Sequence, residues 1–492
     1  MIDVPNHKPV VAIIGGGFSG AAVAYHLARV AGEALSIIIF EPRAEIGPGL
    51  AYSTDDPIHR INVPAARMTL VPDDEQHFAE WLDRDGRVAQ DRQATLPDGR
   101  SFPTRRLFGH YVSAQLEPFI QSGQIRHRRE RVKTISGVDG DWHVVGTEGS
   151  DVQADIVVIA TSHPPPIAPK SLSETLADHP KFLPDPWAAG ALDRIGRDDR
   201  ILIVGTGLTM ADVVASLDVK GHRGPIIAIS RRGQRSRGHS VKPVAPYGDF
   251  LTSPSSTVLS LLRHVRATVA AAADHGEGWQ GVFDTLRTQG GGIWRALPLP
   301  EKRKLIRHLR PFWDTHRFRI APQVEAILDR RIAEGTLHIE AASIEAIATT
   351  ADTITVALDL RRGGSVAANV DAVITTTGPG HADILASQPF LASLHAERQL
   401  IADPTGLGLA VDATSRLVGL YGPHPSIFVA GPLARGEFGE LMGLPEVSYH
   451  AMFVSTHIRA MLFEYSGKGE VTSPGGDGLP PEFQGREIAA GN

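Results

Sequence analysis

The chain opens on an apolar, β-branched run that breaks into glycines and then turns Ala-rich at helical spacing: "VVAIIGGGFSGAAVAYHLARV", Val10 to Val30. A second apolar run, "LSIIIFEP", follows. Strand, tight turn, helix and strand within about thirty residues predict the start of a doubly wound parallel sheet. The pattern returns once, as "RILIVGTGLTMADVVASL" and then "PIIAISRRG".

Between the two copies the pattern changes character. Pro48 to about Leu116 is irregular, with short helical stretches such as "DEQHFAEWL". Gln124 to Ala160 alternates like a β-meander and ends in the buried strand "DIVVIA". "TSHPPPIAPK" then predicts an extended connector, because proline fixes its own φ and restricts its predecessor. From Ser253 the spacing is helical, and Val258, Leu261, Leu262, Val265 and Val269 share one face. Strands are expected again at "TLHIEA", "TITVAL", "DAVITTTG" and "SIFVAGP", with a final helix over "EVSYHAMFVSTHIRAMLF".

Composition narrows the class. At 492 residues the chain exceeds one ordinary core, and 42% hydrophobic with 21% charged residues is a globular mix. A formal net charge of −6 argues against a nucleic-acid binder, which normally shows a basic domain. Zero cysteines exclude disulfides, thiolate-bound zinc, iron–sulfur clusters and a dithiol relay. No metal-ligand spacing and no Ser/His/Asp grouping stands out. The start "MIDVPNHKPV" shows no export signal, and the apolar stretch after it is broken by four glycines, Ser19 and His26. We therefore expect a cytoplasmic protein without a membrane partner; its oligomeric state is left open.

The chemistry lies in the two glycine turns. In "GGGFSG", Gly15, Gly17 and Gly20 fit GxGxxG, with Phe18 and Ser19 opening the helix. The first glycine makes the tight exit, the second lets the backbone approach a pyrophosphate, and the third lets helix and strand pack closely. The helix N-terminus then offers free N–H groups to the phosphates. Glu41, about twenty residues on, is placed to accept ribose hydroxyls, which suits the ADP half of FAD. The second turn keeps Gly205 and Gly207 but has Met210 for the third glycine, and Arg231 and Arg232 stand where the acid is expected. Guanidinium groups there can pair with a 2′-phosphate, so NADPH is the expected second ligand, with NADH or a purely structural arginine pair as the alternatives. The strand ending at Gly431 is expected to return beside the flavin.

The predicted architecture is α/β: two Rossmann-like dinucleotide-binding domains, one inserted in the other, with a helical insert. The FAD domain is expected over 1–185 and 376–465, the NADPH domain over 186–375 with its insert at about 253–335, and a disordered tail over 466–492.

These motifs resemble the flavoprotein superfamily with two dinucleotide-binding domains, which includes class B monooxygenases and ornithine N-hydroxylases. More narrowly, "GPGLAYSTDDPIHRINVPAARMTLVPDDEQHFAEWL" (Gly47 to Leu82), "WDTHRFRIAP" and "GPLARGEFGELMGLPE" resemble a bacterial family of FAD/NAD(P)-binding proteins that counts urate hydroxylation among its activities. Two positions depart from the superfamily: Ser162 replaces the glycine of its Ala-Thr-Gly, and Pro432 follows Gly431 where an aspartate is usual. By the resemblance Asn62 lies where the chain should pass the flavin ring, so its amide contacts the flavin or oxygen beside it, or else closes an Asx-turn before Pro64. His316 is a candidate for the substrate or nicotinamide pocket. The activity implied is an NAD(P)H-consuming monooxygenase in which a flavin C4a-hydroperoxide hydroxylates a small electron-rich substrate with O₂: an amine, an amino acid or a heterocycle such as urate. The alternatives are a reductase serving a quinone or protein acceptor, and a non-catalytic redox sensor.

Overall fold

A computed structural model describes residues 8–464 except 85, 163, 165, 351, 352 and 379. The expected tail at 466–492 therefore lies outside the described residues. Two separate sheets carry the molecule.

The first sheet has six strands in the order Arg416–Gly419, Gly422–Val429, Ile156–Ile159, Val10–Ile14, Ser36–Phe40 and Ile125–Arg128. All neighbours run parallel except the first pair. The strands Ser36–Phe40 and Ile156–Ile159 are buried at every position, which is why they read as unbroken apolar runs. The helices Phe18–Ala31 and Glu446–Glu464 pack together on this sheet. A three-stranded meander, Val132–Val138, Asp141–Gly146 and Asp151–Ala154, forms its own small sheet.

The second sheet has seven strands: Ser365–Val370, Ile354–Leu360, Leu337–Thr349, Ile226–Ser230, Ile201–Val204, Ala372–Thr375 and Phe182–Leu183. The long strand Leu337–Thr349 pairs parallel with Ile226–Ser230 through its first half and antiparallel with Ile354–Leu360 through its second.

Three expectations need correcting. Phe182–Leu183, placed in the first domain by the sequence, pairs with Ala372–Thr375 in the second sheet. The helix Pro322–Ala333, assigned to the insert, packs on Leu208–Val219 and links two parallel strands. It is thus the crossover that a βαβ unit requires, and the insert proper holds the helices from Val258 to Arg317. The stretch before Leu116, read as irregular, contains the long helix Arg105–Gln121, whose first turn is capped by the Thr104 hydroxyl.

Candidate functional site

Both glycine turns leave the C-terminal edge of their sheets and open helices. Gly15 donates its N–H to Phe40 O at 2.9 Å, and Gly205 donates to Ile229 O at 2.8 Å, so the two turns are equivalent residue for residue. Both glycines hold positive φ, +103° and +123°, which L side chains rarely adopt. Helix Phe18–Ala31 begins at Gly17 and helix Leu208–Val219 at Gly207, and no side chain caps either one. Each therefore presents free N–H groups and the positive end of its dipole, which is the donor set a pyrophosphate needs.

Around this shared frame the turns differ. A Cβ on Gly20 would collide with Gly15 O, so helix and strand are in closest approach there. The equivalent Met210 is fully buried. Gly49 lies across the first turn, where its own added Cβ would meet Gly17 Cα at 2.8 Å, and Gly47 N–H donates to Gly16 O at 2.7 Å. Nothing lies within 4 Å of a Cβ built on Gly207. The first cradle is covered; the second is open.

Glu41 is buried beside the first turn and accepts from Gly16 N–H and Arg43 N–H, each at 3.0 Å. In the second unit the equivalent position is Ser230, not Arg231, because Ile229 matches Phe40 in the register. Ser230 Oγ accepts from Thr206 Oγ1 at 2.9 Å, tying the strand end to the turn. Arg231 follows as an exposed residue whose side chain has no hydrogen bond or ion pair among the described residues. Arg232 lies over the Phe312 ring at 5.0 Å and donates to His308 O. The sequence thus placed the arginines one position early, and a small hydroxyl fills the acid's place.

Gly431 ends strand Gly422–Val429 next to Ser19, and its N–H donates to His450 Nδ1 at 3.1 Å. Asn62 and His316 are not brought together. Asn62 Oδ1 accepts from Ala321 N–H at 3.3 Å, and its carbonyl accepts from His239 Nε2 at 3.0 Å. His316 donates to Phe312 O at 2.7 Å and stacks on Phe283 with centroids 4.8 Å apart. It lines an apolar cavity of about 520 Å³ among the insert helices. Asn62 lines a second, polar cavity of about 210 Å³ with Arg67, His239, Asp284 and Arg319.

Two polar clusters escaped the sequence reading. Ser216 Oγ donates to Asp56 at 2.7 Å and accepts from His59 Nε2 at 2.9 Å, while His59 Nδ1 accepts from Thr54. Beside it Arg105 pairs with Asp212 at 2.8 Å. These contacts pin the first domain to the helix of the second cradle. Burial lowers the His59 pKa, which keeps the ring neutral, as this hydrogen-bond pattern requires. The grouping is a structural joint rather than a nucleophile and its base, since Ser216 and His59 are both buried.

The second cluster ties the insert to the last helix. Arg287 binds Glu446 at 2.5 and 2.6 Å, and Arg317 binds Glu440 at 2.8 Å and Glu446 at 3.4 Å. Burial favours the neutral acid at Glu446, but Arg287 and Arg317 outweigh it and hold the carboxyl below its ordinary range. Spacing gave no signal for this cluster, because its members come from three distant segments. Among the described residues, no group of three or more His, Cys, Asp or Glu can hold a metal ion, and no helix is long and apolar enough to cross a membrane.

Comparison with known proteins bears on the frame. Residues 12–164 match a family model described as FAD-NAD(P)-binding, so this segment is an FAD/NAD(P)-binding domain. Sequence comparison with curated proteins returns no match. L-lysine 6-monooxygenase from Pseudomonas syringae superposes with a TM-score of 0.62 at 20% identity, covering 93% of this chain and 100% of that one. The reduced form of ornithine hydroxylase from Pseudomonas aeruginosa gives 0.60 at 17%, covering 93% and 99%. The cadaverine monooxygenase of Erwinia amylovora gives 0.59 at 13%, covering 94% and 95%. At such identities these likenesses establish the fold alone: two Rossmann-like units in one α/β chain.

Proposed function

We propose that the protein is an FAD-dependent, NADPH-consuming monooxygenase acting on a small molecule. The observation that carries this reading is the pairing of unlike cradles: one covered and ending in an acid, the other open and followed by arginines, on two sheets held together by buried polar contacts. A covered cradle suits a resident cofactor, and an open one suits a ligand that comes and goes. The solved neighbours include lysine, ornithine and cadaverine monooxygenases, which supports the same class of chemistry here.

Each part of the chain then has a task. The free N–H groups beyond Gly15 hold the FAD pyrophosphate, and Glu41 accepts from the adenosine ribose once its contact with Gly16 yields. Gly205, Gly207 and the helix they open hold the NADPH pyrophosphate, with Arg231 and Arg232 at the 2′-phosphate. Bound FAD supplies the redox chemistry, accepting a hydride from NADPH and activating O₂. Asn62 orients the flavin ring or the substrate from the polar cavity. The insert helices shield that cavity from water, as oxygen chemistry at a bound flavin would require.

The deciding experiment follows NADPH oxidation and O₂ uptake together on purified, FAD-loaded protein across a panel of small molecules. A monooxygenase uses NADPH slowly alone, speeds up with substrate, and consumes O₂ in equal amount with little peroxide. Rapid anaerobic reduction of quinones, with no substrate-stimulated O₂ uptake, would instead make it a reductase.

A further inference from the structure

The polar cavity beside Asn62 has an unusual charge balance. Five arginines line it: Arg67, Arg100, Arg287, Arg317 and Arg319. Four carboxylates answer them: Asp98 on Arg100, Glu446 on Arg287, Glu440 on Arg317 and Asp284 on Arg319, at 2.5–3.1 Å. Arg67 is left over. Its side chain is exposed and, among the described residues, has no hydrogen bond and no ion pair. Desolvation by the surrounding protein lowers its pKa and neighbouring Arg287 adds to that, while Asp284 and Glu446 pull the other way. The buried Nε atoms of Arg317 and Arg319 also lack hydrogen-bond partners among the described residues. Those two buried donors cost free energy unless something pairs with them.

The other walls fit a small guest. Pro64, Pro243, Val244 and Phe283 supply apolar surface, and the volume of about 210 Å³ lies below the roughly 300–1,000 Å³ of drug-sized sites. That leaves no room for a dinucleotide. His239 is half-buried, and desolvation lowers its pKa to about 4, so it adds no charge near neutral pH and donates only to the Asn62 carbonyl through Nε2.

We infer that this cavity takes the substrate and that the substrate is a small organic anion, held by Arg67 and Arg319. The inference rests on the monooxygenase reading for the word substrate, but not for the binding site itself. It sets this chain apart from neighbours whose named substrates, lysine, ornithine and cadaverine, carry ammonium groups. A cationic amine placed among these arginines would meet like charge.

Calorimetric titration of the FAD-loaded chain tests it with four probes: benzoate, urate, ornithine and cadaverine. Benzoate or urate is expected to saturate, and cadaverine and ornithine to give no heat of binding. Arg67→Gln should weaken the anion about tenfold or more, Arg67→Lys should restore part of the loss, and NADPH affinity should stay within about twofold. Because Arg67 has no partner to lose, retained FAD colour and an unshifted melting temperature are expected in both variants. Saturation by an amine with silence from both anions overturns the inference. So does an anion affinity indifferent to Arg67, or a loss that falls on NADPH instead. Anion binding without NADPH-driven O₂ uptake would sink the oxygenation reading and leave the anion site standing.

Discussion

The two glycine turns share a backbone and differ in almost everything placed on it. The first packs its helix so closely that only glycine fits at position 20, lays Gly47–Gly49 across the top, and keeps a buried acid at the strand end. The second fills the same helical position with Met210, leaves the space over Gly207 empty, and follows Ser230 with a free Arg231. A cover over the turn retains a ligand; an open turn lets one exchange. On the proposed function, the same local motif serves a fixed redox centre in one place and a travelling reductant in the other.

Substitutions that treat the turns alike should therefore give unlike results. The largest effect is expected from Gly20→Ala, whose new methyl strikes Gly15 O and Ile13 in the tightest contact of the first cradle. Loss on the order of 4 kcal/mol or more is expected, read as failure to recover soluble yellow protein. Gly207→Ala, with nothing to strike, should fold and keep FAD while raising the KM for NADPH. Next comes Met210→Ala, which empties a fully buried site and should cost about 2–5 kcal/mol without releasing FAD. Guanidinium unfolding would measure it, and a variant as stable as the parent would overturn that expectation.

Acid should act on the first unit. His26 lies in the first cradle's helix, where burial lowers its pKa from 6.5 to about 4 and the ring donates from Nε2 to Leu70 O at 3.1 Å. A folded pKa below the unfolded one means the stabilisation is complete above pH 6.5 and disappears as pH falls towards 4. About 3 kcal/mol should be lost across that window. His26→Gln should flatten the fall in melting temperature between those pH values. The smallest expected effect concerns choice of coenzyme. Arg231→Glu should cut the NADPH-to-NADH preference about tenfold or more while leaving the fold untouched, and an unchanged ratio of kcat/KM values would remove Arg231 from the 2′-phosphate site.

What the sequence revealed follows from how local each signal is. Both turns, the buried strands and Glu41 depend on neighbours within about thirty residues, so spacing alone located them. The one-position displacement of the arginines was visible only through strand register, since Ile229 rather than Ser230 pairs with Val204. The crossover helix Pro322–Ala333 follows the insert helices in sequence, and only its packing on Leu208–Val219 separates it from them. The arginine cavity draws on residues near 62, 100, 240, 284 and 318, each unremarkable alone. Long-range charge balance leaves no periodic trace.

The central claim is that one chain hands electrons from an exchangeable nicotinamide in the open cradle to a flavin in the covered one. Anaerobic mixing of FAD-loaded protein with NADPH tests it most directly. The account predicts that the flavin absorbance near 450 nm bleaches in a single saturable process. Protein that holds FAD but stays yellow in excess NADPH, or that takes up no FAD at all, would contradict it.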